Sequence, residues 1–347
     1  MKVLNIIRSA EWWAYKLPPL LAIGYATALM SDVPLYRVAL WLVFLLSSLI
    51  AGAIYVSVIN DITDLEEDLA SGKANRIQNV PPKLRWIIPA ICLLAGFMFG
   101  YFIYPDYLSC LLYLLSWIVF SLYSIQPIRL KNRGIWGVLA DGCGSHVFTS
   151  LLMVASVSYI THQQINWVWF TASGIWALCY GLRGILWHQF SDRDNDIKVN
   201  LNTYASKIDP KDFKSKTLLL FILELTALFV MLYELNLFAP VMAMVLYVYL
   251  VYIRTDRYKS NIVIVLKKDD KPYLILMSDF YQMLFPVSLL IYASLNDSLN
   301  LIILLVHILL FPYAVVLALY HYAIYTAAIF FKRFRAGARY ILKNESK

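Results

Sequence analysis

The chain alternates long apolar stretches with short polar ones, and this alternation restricts its possible folds more than any other feature. A helix needs about 20 predominantly apolar residues to cross a bilayer. Nine or ten stretches meet that requirement, so the sequence predicts an all-α fold, a polytopic membrane bundle of nine to ten transmembrane helices. We favour ten, with spans near 12–30, 36–59, 85–104, 107–124, 138–160, 167–188, 216–235, 238–253, 274–295 and 299–329.

Composition argues against the main alternatives to a membrane protein. Only 15% of the 347 residues are charged and 61% are hydrophobic, whereas about a quarter of an ordinary globular domain is charged. This rules out a disordered chain and makes a soluble enzyme a poor interpretation. No linker-like or low-complexity segment divides the sequence, so we expect one integral membrane domain over residues 1–347.

Lysine and arginine are distributed unevenly along the chain. Of these 30 residues, 28 lie in the N-terminal segment, in alternate loops and in the C-terminal tail. Positive charge marks cytoplasmic loops, so both termini and these loops are predicted to be cytoplasmic. The net charge of +8 therefore needs no nucleic-acid partner to explain it. The lack of a signal-peptide pattern and a composition leaning to Ile, Lys and Asn favour a bacterial cytoplasmic membrane.

Acidic residues cluster where the second and sixth predicted spans reach the cytoplasm. The first cluster has three aspartates spaced i, i+3, i+7, which share one helix face with an asparagine: Asn60, Asp61, Asp64 and Asp68. The second cluster contains Asp192 and Asp196, four residues apart and again on one face.

Carboxylates packed this closely repel one another unless cations lie between them. Hard oxygen ligands suit Mg²⁺, which usually binds through one or two carboxylates together with substrate phosphates. Two such clusters at matching depths therefore predict a diphosphate held through Mg²⁺. The alternative is a pair of solvated helix ends, which would be the better interpretation of a single D-x-x-x-D pattern.

Cationic residues near the acidic clusters could contact a bound diphosphate. Lys73, Asn75 and Arg76 follow the first cluster closely enough to reach a phosphate. The segment that connects the fourth and fifth spans adds a tyrosine and three further cations: Tyr123, Arg129, Lys131 and Arg133. The alternative for these cations is that they only orient the neighbouring spans, and for Arg133 we prefer it.

At these residues the sequence resembles the UbiA superfamily of intramembrane prenyltransferases. The family's first signature, N-D-x-x-D-x-x-x-D, is matched in full over residues 60–68. Its second signature, D-x-x-x-D-x-x-x-G, is matched by Asp192 and Asp196, whereas Asn200 stands where glycine is usual. The family's middle loop, Y-S-x-x-P-x-R-L-K-x-x-G, is similar to residues 123–134, and most like members that act on large or lipid-like acceptors. The resemblance covers about residues 10–235.

The resemblance implies a bundle with a central cavity that opens to the cytoplasm and to lipid. Such a protein binds a prenyl diphosphate through Mg²⁺ and ionises its C1–O bond to an allylic cation, which an acceptor (aromatic, a quinone precursor or lipid-like) then captures. The implied metal ligands are Asp61, Asp64, Asp68, Asp192 and Asp196. The implied diphosphate-binding residues are Asn60, Lys73, Arg76, Arg129 and Lys131. The residues interpreted as catalytic are Asp64, Asp192, Tyr123 and Lys131.

Ionisable residues within the predicted spans also suggest functions, because a charge in the bilayer is costly. His188 lies one turn before Asp192 and is predicted to be a catalytic base that takes a proton from the acceptor. A structural histidine, hydrogen-bonded to Asp192 or to a carbonyl, is an equally open alternative. Arg183 precedes the same cluster, and Asp141 and His146 could line the acceptor pocket.

Other functions stay open at this point. A terpene cyclase of the same fold would quench the cation internally, and product analysis without an acceptor would distinguish it. A transporter is a more remote alternative, because the acidic pairs lie at the helix ends and transporter sites usually lie at the bilayer midplane. The resemblance to CDP-alcohol phosphotransferases is incomplete, because Asp141 and Gly142 lack the Ala-Arg that follows in that motif.

Overall fold

The computed structural model describes residues 9–72, 74–198, 200–266 and 272–345, of which 10–11 and 332–345 are described by their backbone alone. Helices form almost all of this part of the chain, as the apolar stretches predict. In chain order they are α1 Ser9–Met30, α2 Leu35–Ala70, α3 Pro82–Arg85, α4 Ile87–Ile103, α5 Tyr107–Ser124, α6 Ile135–Gly142, α7 Phe148–Ile160, α8 Trp167–Lys198, α9 Pro210–Leu235, α10 Phe238–Tyr258, α11 Phe285–Asn296, α12 Leu301–Leu310 and α13 Pro312–Glu345.

Seven helical stretches within the described residues are long and apolar enough to cross a membrane. They are Leu35–Ala70, Pro82–Ile103, Tyr107–Ser124, Ile135–Ile160, Pro210–Leu235, Phe238–Tyr258 and Pro312–Phe331. The predicted spans 12–30 and 167–188 form α1 and α8, and two shorter apolar helices, Phe280–Asn296 and Ser298–Leu310, follow. The prediction of an all-α polytopic membrane fold is confirmed, and the chain is an integral membrane protein.

The tenth predicted span, 299–329, is not one helix. It is interrupted at Phe311, whose backbone leaves the helical region (φ −130°, ψ 54°), and α13 begins at Pro312. Proline has no N–H to donate and disfavours the helical conformation in the residue before it, so a helix ends there. The residues on both sides of the break are apolar, so hydropathy over residues 299–329 does not reveal it.

Two helices that end in the acidic clusters are longer than a bilayer crossing requires. The 36 residues of α2 extend about 54 Å, well beyond the ~30 Å hydrocarbon core. The 32 residues of α8 extend about 48 Å for the same reason. Because both helices stay regular through their acidic segments, the aspartates of each cluster lie on one helix face, as their spacing predicts.

The helices pack into a bundle in which α8 lies against α9, α2 against α4, and α1 against α7. A buried ion pair joins three parts of this bundle. Arg183 on α8 lies 2.7 Å from the Glu224 carboxylate on α9, measured from Nε to Oε2, and both side chains are fully buried. Tyr281 donates its hydroxyl proton to Glu224 Oε1 at 2.9 Å, and Arg183 Nη2 donates to the carbonyl of Leu276 at 2.7 Å. Arg183 therefore fixes the C-terminal part of the chain to α8 and α9.

Two short strands between α10 and α11 were not predicted. β1 (Asn261–Val263) and β2 (Tyr273–Ile275) pair in parallel, with Asn261 opposite Tyr273. Val265, just after β1, is buried with Val138, Ile185 and Phe213 in a small apolar cluster beneath the ends of α6, α8 and α9. The strands thus cover the bundle on the side where α8 carries its acidic cluster.

Candidate active site

The first acidic cluster lies at the end of α2 and is partly enclosed. Asp61 is buried, with 1% of its surface exposed, while Asp64 and Asp68 are partly exposed on the same face. One residue earlier, the Asn60 side-chain oxygen accepts a hydrogen bond from the Ser124 hydroxyl at the end of α5. This end of α2 is therefore bonded to the end of α5.

Asn75 folds back onto this cluster. Its amide donates to the Asp68 carboxylate at 2.8 Å and to the backbone carbonyl of Asp61 at 2.9 Å. Asn75 therefore positions Asp68, a role that sequence spacing alone could not distinguish from phosphate binding. Arg76 is exposed beside it, and the prediction for Lys73 lies outside the described residues.

The loop after α5 brings two buried cations onto the carboxylates of α2. The Arg129 guanidinium binds both oxygens of Glu67, from Nη1 to Oε1 at 2.5 Å and from Nη2 to Oε2 at 2.7 Å. Its Nη2 also lies 3.1 Å from Asp64 Oδ1, and the Lys131 ammonium forms an ion pair with the same oxygen. Arg129 and Lys131 are each only 8% exposed, unlike Arg133, which is exposed. Loop cations that served only to orient the spans would not need such contacts.

Charge and backbone geometry hold Arg129 in this position. Burial by itself would lower the pKa of the guanidinium, but hydrogen bonds and negative charge from Glu67 and Asp64 outweigh burial and raise it. Arg129 also adopts a left-handed backbone conformation, with φ 40° and ψ 63°. Such strain in a residue other than glycine persists only where surrounding contacts impose it, and it is common at ligand-binding loops.

The second acidic cluster lies at the end of α8. Asp196 is buried and accepts a hydrogen bond from the Thr203 hydroxyl at 3.0 Å, whereas Asp192 is partly exposed. Between them in the sequence, the Asp194 side chain is 91% exposed. Asn200 follows with φ 56°, a left-handed conformation that glycine favours and that asparagine tolerates better than most residues. The chain therefore keeps the turn even though asparagine replaces the usual glycine.

One backbone contact joins the loops of the two clusters. The N–H of Gly134 donates to the carbonyl of Asn202 at 3.0 Å, and Gly134 pairs with Thr203 in a parallel bridge. Gly134 has φ 59° and ψ −119°, a conformation that L side chains rarely adopt. The loop that contacts Asp64 is therefore also bonded to the segment that contacts Asp196.

Tyr123 lies between the two clusters. It is partly buried at the end of α5, and the charges of Asp141, Asp64 and Asp196 all act on its hydroxyl. Carboxylates of both clusters and Asp141 thus lie near the Tyr123 hydroxyl.

A cavity lies inside the bundle, and its lining ends about one helical turn before Asp61 on α2 and Tyr123 on α5. It has about 700 Å³ of empty space, counted with its open mouth, and lies between α1, α2, α5 and the turn that precedes α7. Ser57 on its wall lies one turn before Asp61, and Ser48, at the same wall, lies nine residues earlier, so the cavity reaches about 13 Å along α2. Its aromatic lining consists of Trp12, Tyr55, Tyr113, Trp117 and Phe120.

A comparison with known families assigns the chain. The model of the UbiA prenyltransferase family matches residues 17–262. The chain belongs to the UbiA prenyltransferase family. The match extends past residue 235, where the sequence resemblance was expected to end, and includes α10.

Solved structures of a UbiA homolog from Archaeoglobus fulgidus have the same fold. One, described as bound to GPP and Mg²⁺, has a TM-score of 0.54 at 14% identity and covers 86% of this chain and 99% of its own. Another has a TM-score of 0.53 at 15% identity, covering 88% and 99%. A third, described as bound to Cd²⁺, has a TM-score of 0.53 at 16% identity, covering 85% and 100%. None of the curated proteins compared with this chain matches it.

The carboxylates of this UbiA family member suit a metal that arrives with its substrate. Among the described residues, no group of three or more His, Cys, Asp or Glu side chains is placed to hold a metal ion by itself. Mg²⁺ seldom needs such a cage, because it keeps several waters and binds one or two carboxylates together with phosphate oxygens. Two sets of oxygen ligands, with cations beside them, fit Mg²⁺ bound to a diphosphate.

The structure does not place every predicted residue at the site. His188 is exposed on α8, and no hydrogen bond or ion pair joins it to another described residue. Two residues that no sequence pattern singles out also belong to the site: Glu67 binds Arg129, and Thr203 binds Asp196. Glu67 lies 62 residues before Arg129, so no local pattern connects them.

Proposed function

We propose that the chain is a Mg²⁺-dependent prenyltransferase that transfers a prenyl group from a prenyl diphosphate to an acceptor. The supporting observation is that one basic loop contacts the first acidic cluster and is bonded to the segment after the second, next to helices α2 and α5 that line an aromatic cavity. A structure with the same fold is described as bound to GPP and Mg²⁺.

The proposed ligands of Mg²⁺ are Asp61, Asp64, Asp68, Asp192 and Asp196, and the proposed diphosphate-binding residues are Asn60, Lys73, Arg76, Arg129 and Lys131. Bound Mg²⁺ would supply positive charge that stabilises the leaving diphosphate. Lys131 and Arg129 would bind diphosphate oxygens from the side of the loop, where both are buried and charged.

In the proposed reaction the C1–O bond breaks and its electron pair leaves with the diphosphate. The allylic cation that results lies beside Tyr123 and the aromatic walls, whose ring faces attract positive charge. A carbon or oxygen of the acceptor forms the new bond to C1 and then loses a proton. His188 was predicted as the base for that proton, and its exposed side chain gives this role no structural support.

We further propose that the acidic clusters and both termini lie on the cytoplasmic side of a bacterial membrane. The support is the concentration of Lys and Arg in alternate loops. A fluorescent reporter fused to the C-terminus, which matures only in the cytoplasm, should be bright in cells, and a dark but fully inserted fusion would reverse this orientation.

The function is tested by Mg²⁺-dependent release of diphosphate from a series of prenyl diphosphates by purified protein in detergent. Asp64→Ala and Asp192→Ala should each lower the rate by at least about 100-fold, the scale expected when a group that stabilises developing charge is lost. Asp194→Ala is the matched control, because this aspartate belongs to the same acidic segment but faces solvent.

Assays with and without membrane extract then separate transfer from cyclisation. Release that requires extract indicates an acceptor, whereas a hydrocarbon or alcohol product formed without extract indicates a cyclase. If folded wild-type protein binds no prenyl diphosphate, or if both aspartate variants release diphosphate at the wild-type rate, the proposed site is wrong.

A further inference from the structure

The last helix, α13, crosses α10 near its end and does not run out of the bundle alongside it. His321 accepts a hydrogen bond at Nδ1 from Arg254 Nε at 3.0 Å, and its ring lies 4.6 Å from the ring of Tyr258, the last residue of α10. Tyr325, one turn further along α13, has its ring 6.0 Å from that of Tyr249, which precedes Arg254. If α13 ran parallel to α10, Tyr325 would lie beyond Tyr258. This stretch of α13 therefore lies between the levels of Tyr249 and Tyr258 on α10.

After Tyr325, α13 has no cover from the rest of the bundle. Residues 326–331 are all exposed, including Phe330 at 65% and Phe331 at 61%. Five of these six residues are apolar, and a continuous apolar surface of this kind is unfavourable in water, so this segment lies in lipid. The helix continues to Glu345. The part of α13 after Phe331 therefore begins where the chain leaves the acyl chains for the headgroups.

The terminal part of α13 has two faces in its helical register. Four cations share one face, at the spacing i, i+3, i+7, i+11: Lys332, Arg335, Arg339 and Lys343. Apolar residues recur at intervals of three and four on the other side, beginning within the exposed segment: Ala327, Phe330, Phe334, Ala338 and Ile341. A helix with one basic and one apolar face binds along a membrane surface, with its apolar face toward the acyl chains.

The arrangement of these cations differs from what membrane orientation alone requires. Lys and Arg residues that keep a segment in the cytoplasm act through their number near the end of a span, so they can lie all around a helix. Among the cations of residues 332–343, only Arg333 lies outside the shared face. Residues 332–345 contain five Lys or Arg and one Glu, a net charge of +4. The surface that this segment fits is therefore anionic.

We infer that residues 332–345 bind along the membrane surface, with the basic face on anionic phospholipid headgroups and the apolar face among the outer parts of the acyl chains. Charge complementarity and continuity with the lipid-exposed residues 326–331 favour the headgroups of the adjoining leaflet over a soluble acidic partner. Each Lys or Arg close to an anionic surface strengthens binding. The headgroups thus hold the end of α13 where the bundle does not.

A polarity-sensitive label on the full-length protein tests the inference. Ile341→Cys, on the apolar face, is labelled with a nitrobenzoxadiazole fluorophore, and wild type treated in the same way gives the background from the native cysteines. The protein is placed in nanodiscs of neutral phosphatidylcholine with increasing fractions of anionic phosphatidylglycerol. The label should brighten as the anionic fraction rises, and it should dim at high salt, which screens the headgroup charge.

Loss of the basic face should release the label into water. Arg339→Gln should lower the ratio of bound to unbound helix about fivefold, and replacing all four cations of the face by Gln should lower it at least about 100-fold, because each contributes separately. The matched control removes the same charge from four exposed lysines of the predicted cytoplasmic loops and should leave the ratio unchanged: Lys83, Lys211, Lys214 and Lys216.

A rearranged variant separates the pattern of charges from their number. The substitutions Phe334→Arg, Arg335→Phe, Ala338→Arg and Arg339→Ala keep the composition but move two cations onto the apolar face. The label should then stay dim in anionic nanodiscs, whereas cations that only orient the span would tolerate the exchange.

Three results would overturn the inference. The first is a label that is equally bright in neutral and anionic nanodiscs. The second is a variant without the four cations that binds as wild type does. The third is a label that stays dim in anionic nanodiscs and brightens only when soluble cell extract is added, which would assign a soluble partner to the helix.

Discussion

At the scale of single residues, the acidic clusters are held by side chains outside the aspartate signatures. Glu67 binds both terminal nitrogens of Arg129, and Asn75 binds Asp68. Glu67 binds the Arg129 guanidinium through both oxygens, whereas Asp64 contacts only one of its nitrogens, so Glu67 takes the larger share of this cation. The residues that bind a ligand are thus only part of what makes the site.

Glu67→Gln should raise the Mg²⁺ concentration needed for half-maximal diphosphate release by about five- to tenfold, because Asp64 would then be the only carboxylate paired with Arg129, and the stronger pairing would oppose Mg²⁺ binding. The rate at saturating Mg²⁺ should stay close to that of wild type. A Mg²⁺ titration measures both quantities, with Glu66→Gln as control, since Glu66 is the exposed neighbouring glutamate. An unchanged half-saturation point would show that Glu67 does not position Arg129.

Asn200 provides a stability test for the turn after α8. Asn200→Ala should lower the free energy of unfolding by about 1 kcal/mol, because alanine is strained at φ 56°, whereas Asn200→Gly should be neutral or slightly stabilising. Thermal unfolding in detergent measures the order of the two variants. Asn195→Ala, at an exposed helical position, should have little effect, and equal stability of the Asn200 variants would contradict the strain argument.

Single-residue features that depend on local spacing are predictable from the sequence, whereas those that depend on distant parts of the chain are not. The helix faces of Asp61, Asp64 and Asp68 follow from their spacing alone. The contact of Glu67 with Arg129 and the folding back of Asn75 depend on how loops approach α2, which no spacing encodes. Asn75 therefore looked like a phosphate ligand.

At the scale of elements, the loop between α5 and α6 contacts both the end of α2 and the segment after α8. The path of this loop depends on its close packing against α6. A Cβ atom on Gly137 would lie 2.8 Å from the Leu130 carbonyl oxygen and 2.9 Å from Lys131 Cα. Both are backbone atoms, so the loop itself would have to move.

Gly137→Ala should therefore displace Lys131 and lower the rate of diphosphate release by at least about tenfold, since small misplacements of binding groups are costly to catalysis. Helical content by circular dichroism should be unchanged. The matched control is Gly184→Ala on α8, where an added Cβ meets nothing within 4 Å. Equal activity of the two variants would mean that the loop adjusts without moving Lys131.

Element boundaries were predicted well where hydropathy and turn signals agree. Span 107–124 coincides with α5, which begins after an aspartate cap. The break at Pro312 was missed because apolar residues continue on both sides of it. β1 and β2 were missed because three-residue strands are too short to show alternation.

At the scale of the whole molecule, the buried pair of Arg183 and Glu224 connects the sections of the bundle. The sequence suggested that Arg183 belongs with the second acidic cluster, but the structure pairs it with Glu224 on α9. That partner lies 41 positions away in the sequence, on a different helix, so only the packed bundle reveals it.

Glu224→Leu should destabilise the protein by about 3–5 kcal/mol, because it leaves the Arg183 charge buried without its partner. The double variant Arg183→Met/Glu224→Leu should recover much of that loss, since both charges are then removed. Thermal unfolding of purified protein in detergent measures the difference. A double variant no more stable than Glu224→Leu would argue that the pair contributes specific bonds and not merely mutual neutralisation.

The break between α12 and α13 has a consequence for how the bundle is completed during synthesis. A helix that ends within the hydrocarbon region leaves its last carbonyl groups without hydrogen-bond donors, because lipid tails provide no donors. The Trp13 indole of α1 donates to the carbonyl of Leu310 at 2.8 Å, at this break. The donor therefore lies 297 positions before the carbonyl that it satisfies, so this hydrogen bond forms only after α1 and α12 have packed together.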